Sequence, residues 1–276
     1  DSSVLVRSAQ STETGLDVAA VAGVMTTRAA ARAFFVNGTN RAMFRFTILN
    51  HWCTDLEQLK DTRLPVDRIR QDVSRSPGGD SSLFLNQCSG CHTGMDPMAQ
   101  AFAYYEFSYP SELERPDLTE DERMDMGQMV YTPDSVQGKY LINGNNFPYG
   151  YVTPNDHWSN YWRRGDNSGR IGWLNAAANT GVEDMVLDSA ISEGDGAASL
   201  GIELANTEAF AHCQVKKVFR EVCLREPAAS ESINIDTFVG AFKAGYDLKQ
   251  VFAEVAGYCS SHLNPQERHD EHFSDL

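Results

Sequence analysis

Residues 88 to 92 read Cys88-Ser89-Gly90-Cys91-His92, and no other stretch constrains this chain as tightly. The spacing is C-x-x-C-H, the signature of covalent haem attachment. Two thiols three residues apart meet the two vinyl groups of one haem, and the next residue then falls beneath the iron as the proximal imidazole. A redox C-x-x-C of the thioredoxin kind wants a strand before it and a helix after it. Here the Gly78-Gly79 loop and a short apolar turn, Leu83-Phe84-Leu85, come first. The motif therefore implies one covalent haem c, with Cys88 and Cys91 as anchors and His92 as the proximal ligand.

Four further cysteines remain: Cys53, Cys213, Cys223 and Cys259. An even remainder beside a covalent haem points to an oxidising compartment and two disulfides. Both signals place the protein outside the cytoplasm, in the periplasm or beyond it. Asp1 opens a polar stretch without the basic and apolar regions of a signal peptide, so the chain reads as already processed or as the C-terminal part of something longer.

The 276 residues suffice for one large domain or two small ones, and a 42% hydrophobic content with 10% aromatics supplies a sizeable core. No apolar run approaches the length of a membrane span. A net charge of −15 argues against nucleic acid and anionic membranes as partners. It fits docking to a basic redox partner, and plain solubility accounts for it equally well.

Along the chain, residues 1–16 read as a polar N-terminal arm, 17–200 as the haem module with inserted irregular loops, 201–262 as a C-terminal helical module and 263–276 as a polar tail. Thr26 or Thr27 can cap a helix through Val36, and Thr39 starts a second with Met43, Phe46 and Trp52 among its apolar positions and Cys53 at its end. Pro65 begins a short helix through Val73, and 74–82 is a loop broken at Pro77-Gly78-Gly79. Asp96-Pro97 opens a helix carrying Met98, Phe102, Tyr105 and Phe107, with Asp96 as its cap. Thr119 and Glu122 resemble a capping box starting a helix with Met124, Met126 and Met129. Residues 132–181 are the least regular, and a loop of this length is usually functional.

Helical periodicity returns from Glu203 to Glu226, from Ile235 to Ala244 and from Leu248 to Cys259. Consecutive helices with short turns alternate in direction, so the first and third run parallel and their C-terminal ends lie together. That brings Cys223 near Cys259 and leaves Cys53 with Cys213 by elimination, one of three possible connectivities. The fold class expected is mainly α, with a cytochrome c-like haem core, additional helices and long irregular loops.

Three stretches together carry a family resemblance. CSGCHTGMDPMAQAFAYYEF, residues 88–107, resembles the haem segment of planctomycete-type cytochrome c proteins, where C-x-x-C-H is followed closely by D-P and an aromatic helix. GVMTTRAAARAFFVNGTNRAMFRF, residues 23–46, resembles the module preceding that segment, and AFAHCQVKKVFREVCLREP, residues 209–227, is similar to the helical module following it. The resemblance implies a c-type haem module held by Cys88, Cys91 and His92 and no particular activity. It stops between residues 108 and 200, so it implies nothing about the distal ligand.

Function then turns on the other face of the iron. A carrier wants the sixth position filled by Met or His, whereas a peroxidase- or oxygenase-like enzyme wants it open. Met126 and Met129, on one expected helix face, are candidates, although core methionine is the stronger reading of each. His157, in the aromatic loop Asn155-Asp156-His157-Trp158, is another, or a surface residue; His212 is a weaker one. Met95 and Met98 follow His92 too closely and belong on its own side. The neighbourhood of Pro97 offers a carbonyl to the Nδ1–H of His92. Arg163, Arg164 and Arg170 can pair with haem propionates or form a solvated basic cluster. His269 and His272 sit in the tail. The expectation is an exported monohaem c-type cytochrome that carries electrons to a redox protein or within a larger cytochrome-containing assembly. The alternative is a haem enzyme with an open distal site.

Overall fold

Thr27 accepts a hydrogen bond from the Ala30 amide through its hydroxyl and so caps α2 (Arg28–Phe34). The computed structural model describes residues 8–36, 40–69, 82, 84–138, 151–175 and 191–262. The described chain is mainly helical, with two small antiparallel sheets. It divides into two units, residues 1–50 with 54–207 and residues 51–53 with 208–276. No helix among the described residues is long and apolar enough to cross a membrane.

In the first unit, α1 (Gln10–Thr14) and α2 lead to α3 (Asn40–His51), and α4 (Ser89–Ala99) carries the cysteine motif. The expectation that Asp96 caps a new helix does not hold. α4 starts at Ser89 and runs through Asp96, with Pro97 in its last turn. Pro97 interrupts the backbone bonding only two residues before the helix ends at Ala99. Asp96 has a partner stronger than a backbone amide, described below.

The helix expected to carry Tyr105 and Phe107 is already over at that point. Tyr105–Ser108 is strand β1, with Tyr105 and Phe107 inward and Glu106 and Ser108 outward. That alternation has the period of a strand. Thr119 and Glu122 do form a capping box, on α5 (Glu120–Asp125). The helix stops there, and Gln128–Tyr131 becomes β2, with Met129 opposite Phe107. Met126 and Met129 therefore share no helix face. At Gly127, the residue that leads into β2, the chain presses so close that a Cβ would lie 2.5 Å from the Phe107 ring. Phe35 stacks on Tyr105 at 5.5 Å and packs on Phe102, giving this part of the unit its core.

The second sheet pairs β3 (His157–Asn160) with β4 (Ser192–Asp195), His157 opposite Asp195. α6 (Gly165–Ile171) and α7 (Gly196–Ala205) flank these strands in sequence. The single helix expected from Glu203 is interrupted: Asn206 leaves the helical conformation and Thr207 bridges to Trp173 before the next helix begins.

The second unit is a three-helix cluster, α8 (Glu208–Cys223), α9 (Ser232–Gly245) and α10 (Leu248–His262). Its core interleaves Val215, Val218 and Phe219 with Phe238, Val239, Phe242, Val251 and Val255. The spacing is the 3-and-4 repeat of an amphipathic helix. Cys223 is bonded to Cys259 and Cys53 to Cys213, with Cα separations of 5.6 and 5.4 Å. The first is the pair the helix alternation pointed to, and the second the one left by elimination. A bidentate Arg225–Glu231 pair, with Glu231 also accepting from the Tyr258 hydroxyl at 2.8 Å, ties the α8–α9 connection to α10.

The short helix expected over 65–73 is described only to Ile69, where the chain forms turns. The Val4–Val6 patch, most of the 74–82 loop, 139–150, 176–190 and the tail with His269 and His272 lie outside the described residues.

Candidate functional site

The segment after α3 braces the cysteine motif. The Asp61 amide donates to the Gly90 carbonyl at 2.9 Å, and the Thr93 hydroxyl donates to the Asp61 carbonyl at 3.0 Å. Asn167 reaches from α6 to the Leu59 carbonyl at 2.8 Å. Trp162, wholly buried, lies so close on α4 that a Cβ at Gly94 would stand 2.1 Å from the indole nitrogen. Cys88 stands at the N-cap of α4 and Cys91 in its first turn. Residues three apart on a helix share a face.

His92 is oriented by a carboxylate one turn further on. Its Nδ1–H donates to Asp96 Oδ1 at 3.0 Å. Arg41, on α3, grips the same carboxylate twice, Nε to Oδ1 and Nη2 to Oδ2, each at 2.8 Å. The Asp96 side chain is completely buried. Burial alone would push its carboxyl up, but the Arg41 charge and the hydrogen bonds from His92 and Arg41 outweigh burial and hold it well below the usual carboxylate range. An ionised carboxylate can only accept, which places the imidazole proton on Nδ1 and makes Nε2 the nitrogen for a metal. The sequence reading gave this role to a carbonyl near Pro97; the residue that fills it is Pro97's neighbour, Asp96. The spacing of His and Asp four apart on one helix is the signal that reading as a cap concealed. Arg41, 51 positions upstream of His92, carries no such signal.

A pocket of about 380 Å³ opens beside His92. Cys91, His92 and Met95 of α4 line it together with Arg41, Arg45 and Phe46 of α3 and Asp55, Leu56 and Glu57 of the next turn. Arg45 pairs with Asp55 at 2.7 Å along this wall. The donor set fits a covalent haem. Cys88 and Cys91 are the two cysteines outside the disulfides. Burial pushes the Cys91 thiol up, the reverse of the lowered value that makes a redox C-x-x-C reactive. His92 is held in the tautomer a metal requires. Among the described residues no group of three or more His, Cys, Asp or Glu is arranged to hold a bare ion; a haem brings four nitrogens of its own and asks the chain for one or two ligands.

The other candidates are placed elsewhere. Met126 is exposed and accepts from Arg115 at 3.5 Å, and Met129 is buried on β2. His157 is on a strand, with Nδ1 2.9 Å from Asp195 and Nε2 3.8 Å from Glu193. None of the three lines the pocket. Met95 lines it from the His92 helix, and Met98 is buried one turn on. His212 belongs to the second unit, 3.8 Å from Glu208 and 4.0 Å from Asp236. Arg163 forms a buried bidentate pair with Glu203 at 2.8 Å and lies over Trp173. Arg164 is buried, and Arg170 donates to the Gln58 carbonyl.

No protein-family model matches the chain, and neither the curated proteins nor the solved structures contain a match.

Proposed function

We propose that the chain is a monohaem c-type cytochrome of the planctomycete-type kind, working in electron transfer outside the cytoplasm. The observation that carries this reading is the division of labour among six cysteines: four are paired in two disulfides, while Cys88 and Cys91 remain as thiols on the helix whose His92 is fixed for metal binding by Asp96. Cys88 and Cys91 would tether the haem, and His92 would ligate its iron through Nε2. When bound, the haem supplies a one-electron ferric/ferrous couple. Arg41 and Asp96 hold the ligand still, so little has to move when the charge on the iron changes. Phe46, half-exposed on the pocket wall, would cover part of the group and leave an edge open to a partner. Two disulfides accord with an oxidising compartment, and the acidic surface suits a basic redox partner or a larger cytochrome-containing assembly.

A haem enzyme with an open distal site is the second reading. It draws on the carboxylate at His92 Nδ1, because such a partner makes the imidazole a stronger donor, as chemistry on oxygen or peroxide asks.

Intact mass and absorption spectra of the exported protein test both. Expected are one covalently added haem and, with a sixth ligand supplied from outside the described pocket lining, a low-spin, six-coordinate spectrum in both redox states that carbon monoxide and cyanide perturb slowly or not at all. A high-spin spectrum with rapid ligand binding moves the protein to the enzyme reading, and the bare peptide mass ends both.

A further inference from the structure

We propose that Asp96, clamped by Arg41, is a positioning residue that sets the reduction potential of the iron through His92. The inference rests on the haem reading and goes beyond it, since attachment needs only the two thiols and the imidazole.

Three observations support it. The acceptor at His92 Nδ1 is a carboxylate, not a backbone carbonyl. A full negative charge draws the Nδ1 proton harder than a neutral carbonyl does, so electron density shifts toward Nε2 and the imidazole becomes a better donor to ferric iron. The carboxylate is wholly buried, where such a charge acts over a low local dielectric. Arg41 supplies two bonds, and its Nε competes with His92 for the same atom, Oδ1. Arg41 therefore tempers the pull of Asp96 as well as making its burial tolerable. His92 and Asp96 share α4 while Arg41 stands on α3, so the tuning depends on how those two helices meet.

The two sides of Asp96 give variants with opposite expected signs. In Asp96→Asn a neutral amide oxygen still accepts from Nδ1, keeping the ring in place while removing the charge. The ferric/ferrous equilibrium should move toward ferrous by about tenfold, which is about 59 mV for one electron. In Arg41→Lys the positive charge stays but the fork is lost, leaving more of Oδ1 to His92. The equilibrium should move the other way by a smaller factor.

The measurement is a spectroelectrochemical titration of the intact haem-loaded protein, wild type and both variants, with mass spectrometry on each. Opposite shifts with haem still attached support the proposal. No shift, or shifts of one sign in both, overturns it and leaves the haem reading standing. If Asp96→Asn does not fold, Arg41→Lys decides alone: a shift toward ferric supports the proposal, and no shift or a shift toward ferrous overturns it. Wild-type protein carrying no haem defeats the underlying reading instead.

Discussion

His92 and His157 are both imidazoles held by carboxylates, and the difference between them lies in what surrounds each carboxylate. The partner of His92 is buried, on the same helix and countered by Arg41. His157 faces one carboxylate from each ring nitrogen, Asp195 at 2.9 Å and Glu193 at 3.8 Å, both from the neighbouring strand. Asp195 is exposed, while Glu193 is buried and accepts from Ser159 at 3.1 Å. One arrangement directs a single nitrogen toward a pocket. The other ties Nδ1 across a two-stranded sheet and leaves Nε2 facing a second carboxylate at 3.8 Å. A histidine beside acids is therefore not by itself a candidate ligand; whether the acids leave one ring nitrogen uncovered is what separates the two.

The sharpest way to break this comparison is to delete each ring in turn. His92→Ala should abolish the low-spin spectrum, since no other described His lines the pocket. His157→Ala should leave it unchanged in position and intensity. The absorption spectra of both redox states read the result, the largest effect expected of any single change. A His157→Ala protein that turns high-spin would identify that residue as an axial ligand and erase the distinction.

What the sequence discloses of these two sites follows from how local each one is. The three helices of the second unit announce themselves, because Val215, Val218, Phe219 and Val222 repeat at helical spacing and bury against one another. Their alternation also placed Cys223 beside Cys259. The first unit is less legible. Its strands are four residues long, too short for periodicity to outweigh a helical reading. Tyr105–Ser108 and Gln128–Tyr131 are strands because each pairs with the other across an intervening helix, a contact no local pattern encodes. His92 was legible from a five-residue motif; its partner Asp96 was hidden by the adjacent Pro97, which made the pair look like a helix start. Arg41 and the Glu193–Asp195 side of His157 come from distant segments, and a single sequence carries no sign of them.

Each site also leans on a glycine against a tryptophan, and the two contacts rank differently. A Cβ on Gly94 would stand 2.1 Å from Trp162, while one on Gly194 would stand 2.7 Å from Trp158. Both indoles are buried, so neither has room to retreat. Forcing an atom into a packed core costs about 1–3 kcal/mol. Gly94→Ala recovers about 1 kcal/mol of helix propensity, yet its closer clash should sit at the top of that range and leave it the worse of the two, at about 2 kcal/mol net. Urea denaturation of both variants checks the order. If Gly194→Ala is the more damaging, the packing of α4 on Trp162 is softer than the structure implies, and the rigidity attributed to the His92 helix goes with it.

The smallest effect comes from the acid next to His157, and it has the opposite sign to that of Asp96. Burial pushes both carboxyls up. At Asp96 the Arg41 cation and the hydrogen bonds from His92 and Arg41 reverse the shift; at Asp156 burial prevails, Asp195 and Asp134 add to it, and its own backbone amide and His157 offset only part, leaving the carboxyl at about 6. Unfolded, the same group titrates near ~3.9. Between those values the folded state binds the proton more tightly, so stability falls as pH rises through that window, and the full cost is present above about 6. Asp156→Asn removes it. The full shift is worth about 3 kcal/mol, and solvent screening of a partly hydrated group cuts that to about 1, so the variant should gain about 1 kcal/mol over wild type at neutral pH and nothing below ~pH 4, read as the difference in urea midpoint at the two pH values. Equal pH slopes in the two proteins would mean that Asp156 is solvated like an ordinary surface acid. In that case burial near His157 is incomplete, and Arg41 would no longer be the reason the two carboxylates part company.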